Sequence, residues 1–251
     1  MTVPTISLND IFSKARLAPY FSVFKPASEA ECLAIYFQIH EASVKMLNIL
    51  NIIEVTLRNR IDTQVINLIK SGKMQHSQYT ASEWYKYVPV TPMRLTYGKY
   101  TTHDDDITRS DFGFWTNMLH RDYDDHHKPW RYIWEPSVVA AVFPGNKIKN
   151  REELWKAFSN CKEIRNRLCH HKPIWKKRAK HNMPPTKQDA LNNIRLKYIF
   201  LLDCLGFLSP DMKQIVLDTE YAGFGHPSQL FVSRCRNKYK KILAQNTAIL
   251  P

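Results

Sequence analysis

Apolar residues recur at helical spacing through most of the chain, and alternating apolar/polar runs bounded by hairpin turns are lacking, which predicts an all-α fold. The longest pattern opens after Ser28, an N-cap residue followed by Glu29 and Glu31 in the favourable first turn, and continues to about Lys70. Steps of four and three from Leu33 pass through Phe37, His40, Val44, Leu47, Asn51, Glu54, Arg58, Ile61, Val65 and Leu68, a seam apolar at both ends and polar in its middle. A second stripe on the same helix, Ile35, Ile39, Met46, Ile49, Ile53 and Leu57, is more purely apolar. Two readings follow. Asn51, Glu54 and Arg58 are either a solvated interval or a buried polar cluster facing a second helix, where each group must find a partner.

Shorter elements flank this helix. An amphipathic helix is expected over Leu8–Ala18. From Gly72 to Thr108 the pattern weakens, and Pro89, Pro92, Gly98 and the run Asp104-Asp105-Asp106 read as a loop-rich insertion (72–109) with a short helix near Ser82–Tyr87. Adjacent aspartates point in different directions, so a solvated acidic loop is expected there rather than a metal site. Ser110 is expected to cap a helix through about Tyr123, with Asp111 in its first turn and Phe112, Trp115 and Leu119 on one face. Asp122, Asp124, Asp125, His126 and His127 close it, without the second ligand pair that metal ligation needs. Further helices are expected over Pro136–Val142, from about Asn150, over Thr186–Leu205 with Thr186 and Asp189 as a capping box, over Pro210–Asp218 behind Ser209, and over Ser228–Ala244, which carries Arg234, Arg236, Lys238, Lys240 and Lys241. No repeat or low-complexity linker divides the chain, so residues 1–251 read as one bundle-like domain.

Composition narrows the function classes. A 44% hydrophobic content and 24% charged content are ordinary globular values. No window approaches a membrane span, and the N-terminus shows no basic-then-apolar signal pattern. Five scattered cysteines (Cys32, Cys161, Cys169, Cys204, Cys235) without a C-x-x-C pair fit a reducing cytoplasm and no disulfide framework. The net charge of +13 implies a polyanionic partner, most simply nucleic acid, or a basic surface that only aids solubility.

One segment concentrates the candidate chemistry. The helix from Asn150 has the stripe Leu154, Phe158, Cys161, Arg165 and Leu168, so Arg165 stands where an apolar residue is expected. Residues 165–171 hold two arginines, an asparagine and two histidines, and Pro173 follows. Cleavage of RNA needs a group that exchanges protons near neutral pH, a cation for the phosphate and a polar group to fix the geometry. Asn166 and His170 share a helix face, as do Arg167 and His171. Arg165 and His170 lie about 140° apart on an ideal helix. They can meet at one phosphate if the helix unwinds before Pro173, or if two copies face each other. Lys172, Trp175, Lys176, Lys177, Arg178, Lys180 and His181 continue as a basic stretch around one aromatic. That mixture suits a phosphate backbone with an unstacked base, or else a solvated loop whose tryptophan folds back on the core.

Four blocks in order resemble the Abi-like (AbiD/AbiF-type) abortive-infection proteins, members of the HEPN group of bacterial and archaeal RNases and toxins. They are Arg16-Leu17 with Tyr20; Glu54-Val55-Thr56-Leu57-Arg58-Asn59; Phe112-Gly113-Phe114-Trp115 through Leu119; and Arg165-Asn166-Arg167-Leu168-Cys169-His170-His171-Lys172-Pro173-Ile174. The resemblance implies a HEPN-type helical bundle and an endoribonuclease site, independent of metal or cofactor, at a homodimer interface. On these positions His170 would be general base or acid at the RNA 2′-hydroxyl, Arg165 would stabilise charge on the phosphate and Asn166 would orient it, leaving a 2′,3′-cyclic phosphate. Glu54 and Arg58 would support that motif, with Asn51 and His171 nearby, and a small RNA antitoxin becomes a plausible partner. Three departures stand out. Cys169 replaces a frequent Ala, Asp111 replaces the serine of an S-F-G segment so that Ser110 would cap instead, and His171-Lys172 replaces an x-Tyr pair. A non-catalytic RNA-binding regulator or scaffold, with the Arg-Asn-His block serving dimer contacts, is the competing expectation. A metal-dependent nuclease using Cys169-His170-His171 fits poorly, because adjacent side chains do not converge on one ion.

Overall fold

The computed structural model describes residues 12–74, 80–81, 83–86, 102–124, 132–145, 150–176 and 186–218. Among these the chain is all-α, with eight α-helices, two 3₁₀ turns and one isolated antiparallel bridge between Asp124 and Tyr132. The helices are α1 (Lys14–Phe24), α2 (Glu29–Lys70), α3 (His103–Arg109), α4 (Phe112–Asn117), α5 (Pro136–Val142), α6 (Arg151–Cys169), α7 (Lys187–Leu208) and α8 (Pro210–Asp218), with 3₁₀ turns at Trp84–Lys86 and Arg121–Tyr123. The helix expected over Ser228–Ala244 lies outside the described residues, as do Lys177, Arg178, Lys180, His181, His126 and His127.

Backbone contacts sort the described residues into two units, 12–47 with 167–176, 186–200 and 216–218, and those within 48–166 with 201–215; α2, α6, α7 and α8 contribute residues to both. In the first unit, Leu17, Tyr20, Val23 and Phe24 of α1 are buried, as are Tyr36, Ile39, Ala42 and Met46 of α2, together with Trp175, Ala190 and Ile194. Aromatic rings concentrate there. Trp175 meets Tyr20 and Phe24 edge-on, at centroid separations of 4.6 and 5.2 Å. Such T-shaped pairs add about 0.5–1.5 kcal/mol each beyond burial.

In the second unit, Ile49, Ile53, Leu57, Ile61 and Val65 form a stripe with no more than 1% exposure. Steps of four advance only 40° beyond a full turn on an ideal helix, so a stripe so spaced migrates slowly around α2. This explains why neither expected seam runs the helix's full length. The second stripe supplies the core of the first half, while Phe37 and Val44 of the first seam remain 55% and 45% exposed. Around it, Trp84, Trp115, Phe112, Leu154 and Phe158 are buried. Several buried polar groups there are paired: Trp84 Nε1 donates to Asp62 at 2.8 Å, Tyr85 to Asp106 at 2.6 Å, and Trp134 Nε1 to the Met118 carbonyl at 2.6 Å, whereas the Trp115 indole N–H is buried without a partner.

Capping chemistry sets the boundaries. Ser28 Oγ accepts from the Glu31 amide at 3.1 Å, while Glu31 reaches back to the Ala27 amide at 2.6 Å. Thr186 and Asp189 form the expected capping box, with bonds of 3.1 and 3.2 Å. Three expectations need correction. The acidic run is not a loop: Thr102 and Asp105 make a capping box, which puts Asp104, Asp105 and Asp106 in the first turn of α3. Asp111 rather than Ser110 caps α4, its carboxylate accepting from the Phe114 amide at 2.7 Å, while Ser110 Oγ donates to the Asp106 carbonyl at 2.9 Å. The helix from there stops at Asn117, and only a 3₁₀ turn follows at Arg121–Tyr123. The start of the element expected over Leu8–Ala18 lies outside the described residues, within which α1 runs over Lys14–Phe24.

Candidate functional site

Arg165 occupies a core-stripe position on α6 yet is only partly buried, beside the buried Ile164 and Cys161. Across from it on α2 is Glu54, also partly buried. Burial lifts the Glu54 carboxyl above the ordinary carboxylate value; Arg165, then Arg58, pull it back, and Asp111 adds to the lift. Two guanidiniums and two carboxylates therefore share one region of the second unit. Arg58 Nε also donates to Asn59 Oδ1 at 3.2 Å, and Asp111 is already committed to capping α4. In the polar interval on α2, Glu54 and Arg58 are partly buried, and Asn51 is exposed. Asp111's share in this cluster is not marked in the sequence, where it reads as a first-turn acid in place of the serine of an S-F-G segment.

The first unit takes over at the end of α6. Asn166, Cys169, His170, His171, Lys172 and Lys176 are exposed, and Arg167 is partly buried. The His171 amide donates to the Leu168 carbonyl at 2.9 Å and the Lys172 amide to the Arg167 carbonyl at 2.9 Å. These two bonds, with φ 51° at His171, define a Schellman C-cap with a histidine at the left-handed position. The helix thus ends before Pro173, as the proline requires, and the reversal comes one residue after His170. Arg167 Nη1 makes a long contact of 3.4 Å to the Pro173 carbonyl.

Helix α7 then fixes the segment that follows. Asn193 Nδ2 donates to the Trp175 carbonyl at 3.1 Å, and Lys197 Nζ donates to the Lys176 carbonyl at 3.1 Å and to that of Ile174. One turn of α7 thereby satisfies three consecutive carbonyls. Trp175 itself is wholly buried, which corrects its expected role: a side chain sealed against Tyr20 and Phe24 has no face to offer a nucleobase. Lys172 and Lys176 stay exposed on the same stretch and keep the character of phosphate-contacting groups.

Beside the reversal lies a small open pocket lined by Tyr20, Tyr36, Ile39, His40, Ser43, Leu168, His171 and Lys172. The His40 and His171 rings are 5.7 Å apart between centroids. Nothing in the local sequence marks His40, which is 131 positions away; its neighbour is supplied by tertiary packing alone. Among the described residues, no group of three His, Cys, Asp or Glu side chains is placed to hold a metal ion, and no helix is long and apolar enough to cross a membrane. No family model matches the chain, and no curated protein or solved structure is significantly similar to it.

Proposed function

We propose that this protein is a metal-independent endoribonuclease of the HEPN type, an Abi-like toxin or antiphage effector acting in the cytoplasm. The observation that carries the reading is Arg165. A guanidinium at a core-stripe position, opposed by the partly buried carboxylate of Glu54, is costly for a helix that has only to pack. It is reasonable for one that must present a fixed cation to a phosphate.

In this reading an imidazole of His170 takes the proton of a ribose 2′-hydroxyl, whose oxygen attacks the adjacent phosphorus. Arg165 offsets the charge gathering on the non-bridging oxygens, and Asn166 orients them. The 5′-oxygen leaves with a proton, and the upstream fragment ends in a 2′,3′-cyclic phosphate. Glu54 and Arg58 are positioning residues, acting through Arg165. Arg167, Lys172 and Lys176, with Lys177 and Arg178 beyond the described residues, would track the RNA backbone. Because Arg165 and His170 project about 140° apart on an ideal helix, each active centre would draw them from two copies in a homodimer. The basic charge also suits a small structured RNA as antitoxin.

Total bacterial RNA incubated with chelator, wild type beside His170→Ala, tests the reading. Fragments carrying 2′,3′-cyclic phosphate from the wild type alone are expected. Intact RNA with both folded proteins, together with tight salt-sensitive binding, would instead identify a non-catalytic RNA-binding protein.

A further inference from the structure

We propose that His40, His171 and Lys172 form a phosphate-binding subsite that holds an RNA backbone phosphate next to the cleaved linkage. Its RNA assignment rests on the nuclease reading above, whereas the anion site stands on the pocket itself.

Three potential cationic groups from two separate segments line this one pocket: His40 from α2, and His171 and Lys172 from the reversal after α6. None of its eight lining residues is a carboxylate. The His40 ring is held parallel to Tyr36, with 6° between planes and 6.3 Å between centroids, and its other ring neighbour is His171 at 40°. Ser43 Oγ already donates to the Ile39 carbonyl at 2.8 Å, so the imidazoles and the ammonium are the donors that can carry charge, beside the neutral phenols of Tyr20 and Tyr36. Burial holds the Tyr20 phenol above its ordinary value, keeping that wall neutral.

Size restricts the ligand. The pocket has a cavity volume of only about 20 Å³. A nucleobase does not bury itself there, whereas a tetrahedral oxyanion can rest in the mouth with an oxygen directed inward. The left-handed backbone at His171 supports this assignment. It turns the His171 ring into the pocket, while the preceding His170 does not line it. Two adjacent histidines are thereby given different tasks, one at the scissile group and one at a neighbouring phosphate.

The test follows the histidine ring signals of the full chain by NMR at pH about 6, with inorganic phosphate as the first probe. His40 and His171 should move together along one saturation curve. Lys172→Ala should weaken that curve about fivefold, the upper scale of an exposed ionic contact. Ring signals that stay still to on the order of 50 mM phosphate, or that follow different curves, would overturn the subsite.

A second probe, a six-nucleotide RNA with every 2′-hydroxyl methylated so that it cannot be cut, should displace phosphate from both histidines. Failure to displace it would leave a site for free phosphate or mononucleotides and overturn the RNA assignment. In cleavage, His40→Gln should raise KM several-fold while kcat changes little; an unchanged KM would likewise overturn that assignment. If His40→Gln fails to fold, the exposed Lys172→Ala provides the same KM measurement. A wild type that cleaves nothing would defeat the nuclease reading while the phosphate curves still decide the anion site.

Discussion

Two helices of this protein end with the same backbone geometry and different residues. At the end of α2, the Gly72 amide donates to the Ile69 carbonyl and the Lys73 amide to that of Leu68, both at 3.0 Å, with φ 72° at Gly72. At the end of α6, the same pair of bonds forms around His171, with φ 51°. Glycine enters this region without penalty, whereas a residue with a Cβ gives up about 1 kcal/mol or somewhat more. Histidine is among the side chains found there more often than most, but the cost is still present. The end of α2 is therefore built for the turn alone. The end of α6 accepts strain and gains an imidazole facing His40, the pattern expected where local stability gives way to function.

Breaking this comparison starts with the largest effect. His170→Ala is expected to lower RNA cleavage by about 10²–10⁴-fold, the usual worth of a general acid–base group, with an unchanged thermal midpoint because the residue is exposed. Activity that survives this change would separate the strained helix end from catalysis. Gly145 sharpens the contrast from another side, since it is needed for space rather than for φ. Its amide donates to the Phe207 carbonyl at 3.1 Å, and a Cβ there would stand 2.0 Å from the Gly206 carbonyl oxygen. Gly145→Ala should therefore destabilise by about 2–3 kcal/mol in denaturant unfolding, the range of an overpacked contact.

Gly72→Ala should cost about 1–2 kcal/mol in the same experiment and leave cleavage unaffected. His171→Gly should do the reverse. Relief of strain, less the lost ring contact with His40, should stabilise by about 0.5 kcal/mol, while phosphate binding falls. A destabilised His171→Gly would show that the histidine is structural.

The smallest effect concerns pH. Because the Glu54 carboxyl is raised in the folded protein, the folded state holds its proton more tightly than the unfolded chain does. Its contribution to stability therefore falls as pH rises from about 4.3, the ordinary glutamate value, through the raised folded value. Glu54→Gln should flatten that fall and be no less stable at neutral pH, yet lose activity through Arg165. Equal pH profiles for wild type and variant would remove this coupling.

What the sequence made legible follows from where the deciding interactions lie. The starts of α2, α7 and α8 were readable because Ser28, Thr186 and Ser209 act within one turn. The start of α3 was equally local, as the Thr102–Asp105 box, but three consecutive aspartates masked it as a solvated loop. Ser110 and Asp111 are both competent caps, and the choice between them fell to a second local demand, since Ser110 is occupied with the carbonyl of Asp106 at the end of α3. Trp175 and His40 were beyond any local pattern. The tryptophan sits among basic residues in sequence, and only Tyr20 and Phe24, far upstream, decide that it is buried. Arg165, by contrast, stood out as a charge in an apolar stripe, and Glu54 and Arg58 were expected partners of the same motif.

The clamp from α7 also orders events in time. By the residue at which a ribosome has added His171, every candidate catalytic group exists, and so do Tyr20 and Phe24. The donors that hold the following carbonyls do not: Asn193 is 18 residues beyond Trp175, and Lys197 is 21 beyond Lys176. At about 5–20 residues per second, these donors are synthesised roughly 1–4 s after the segment they secure. A nascent chain thus carries the whole motif before it carries the means to hold it in place.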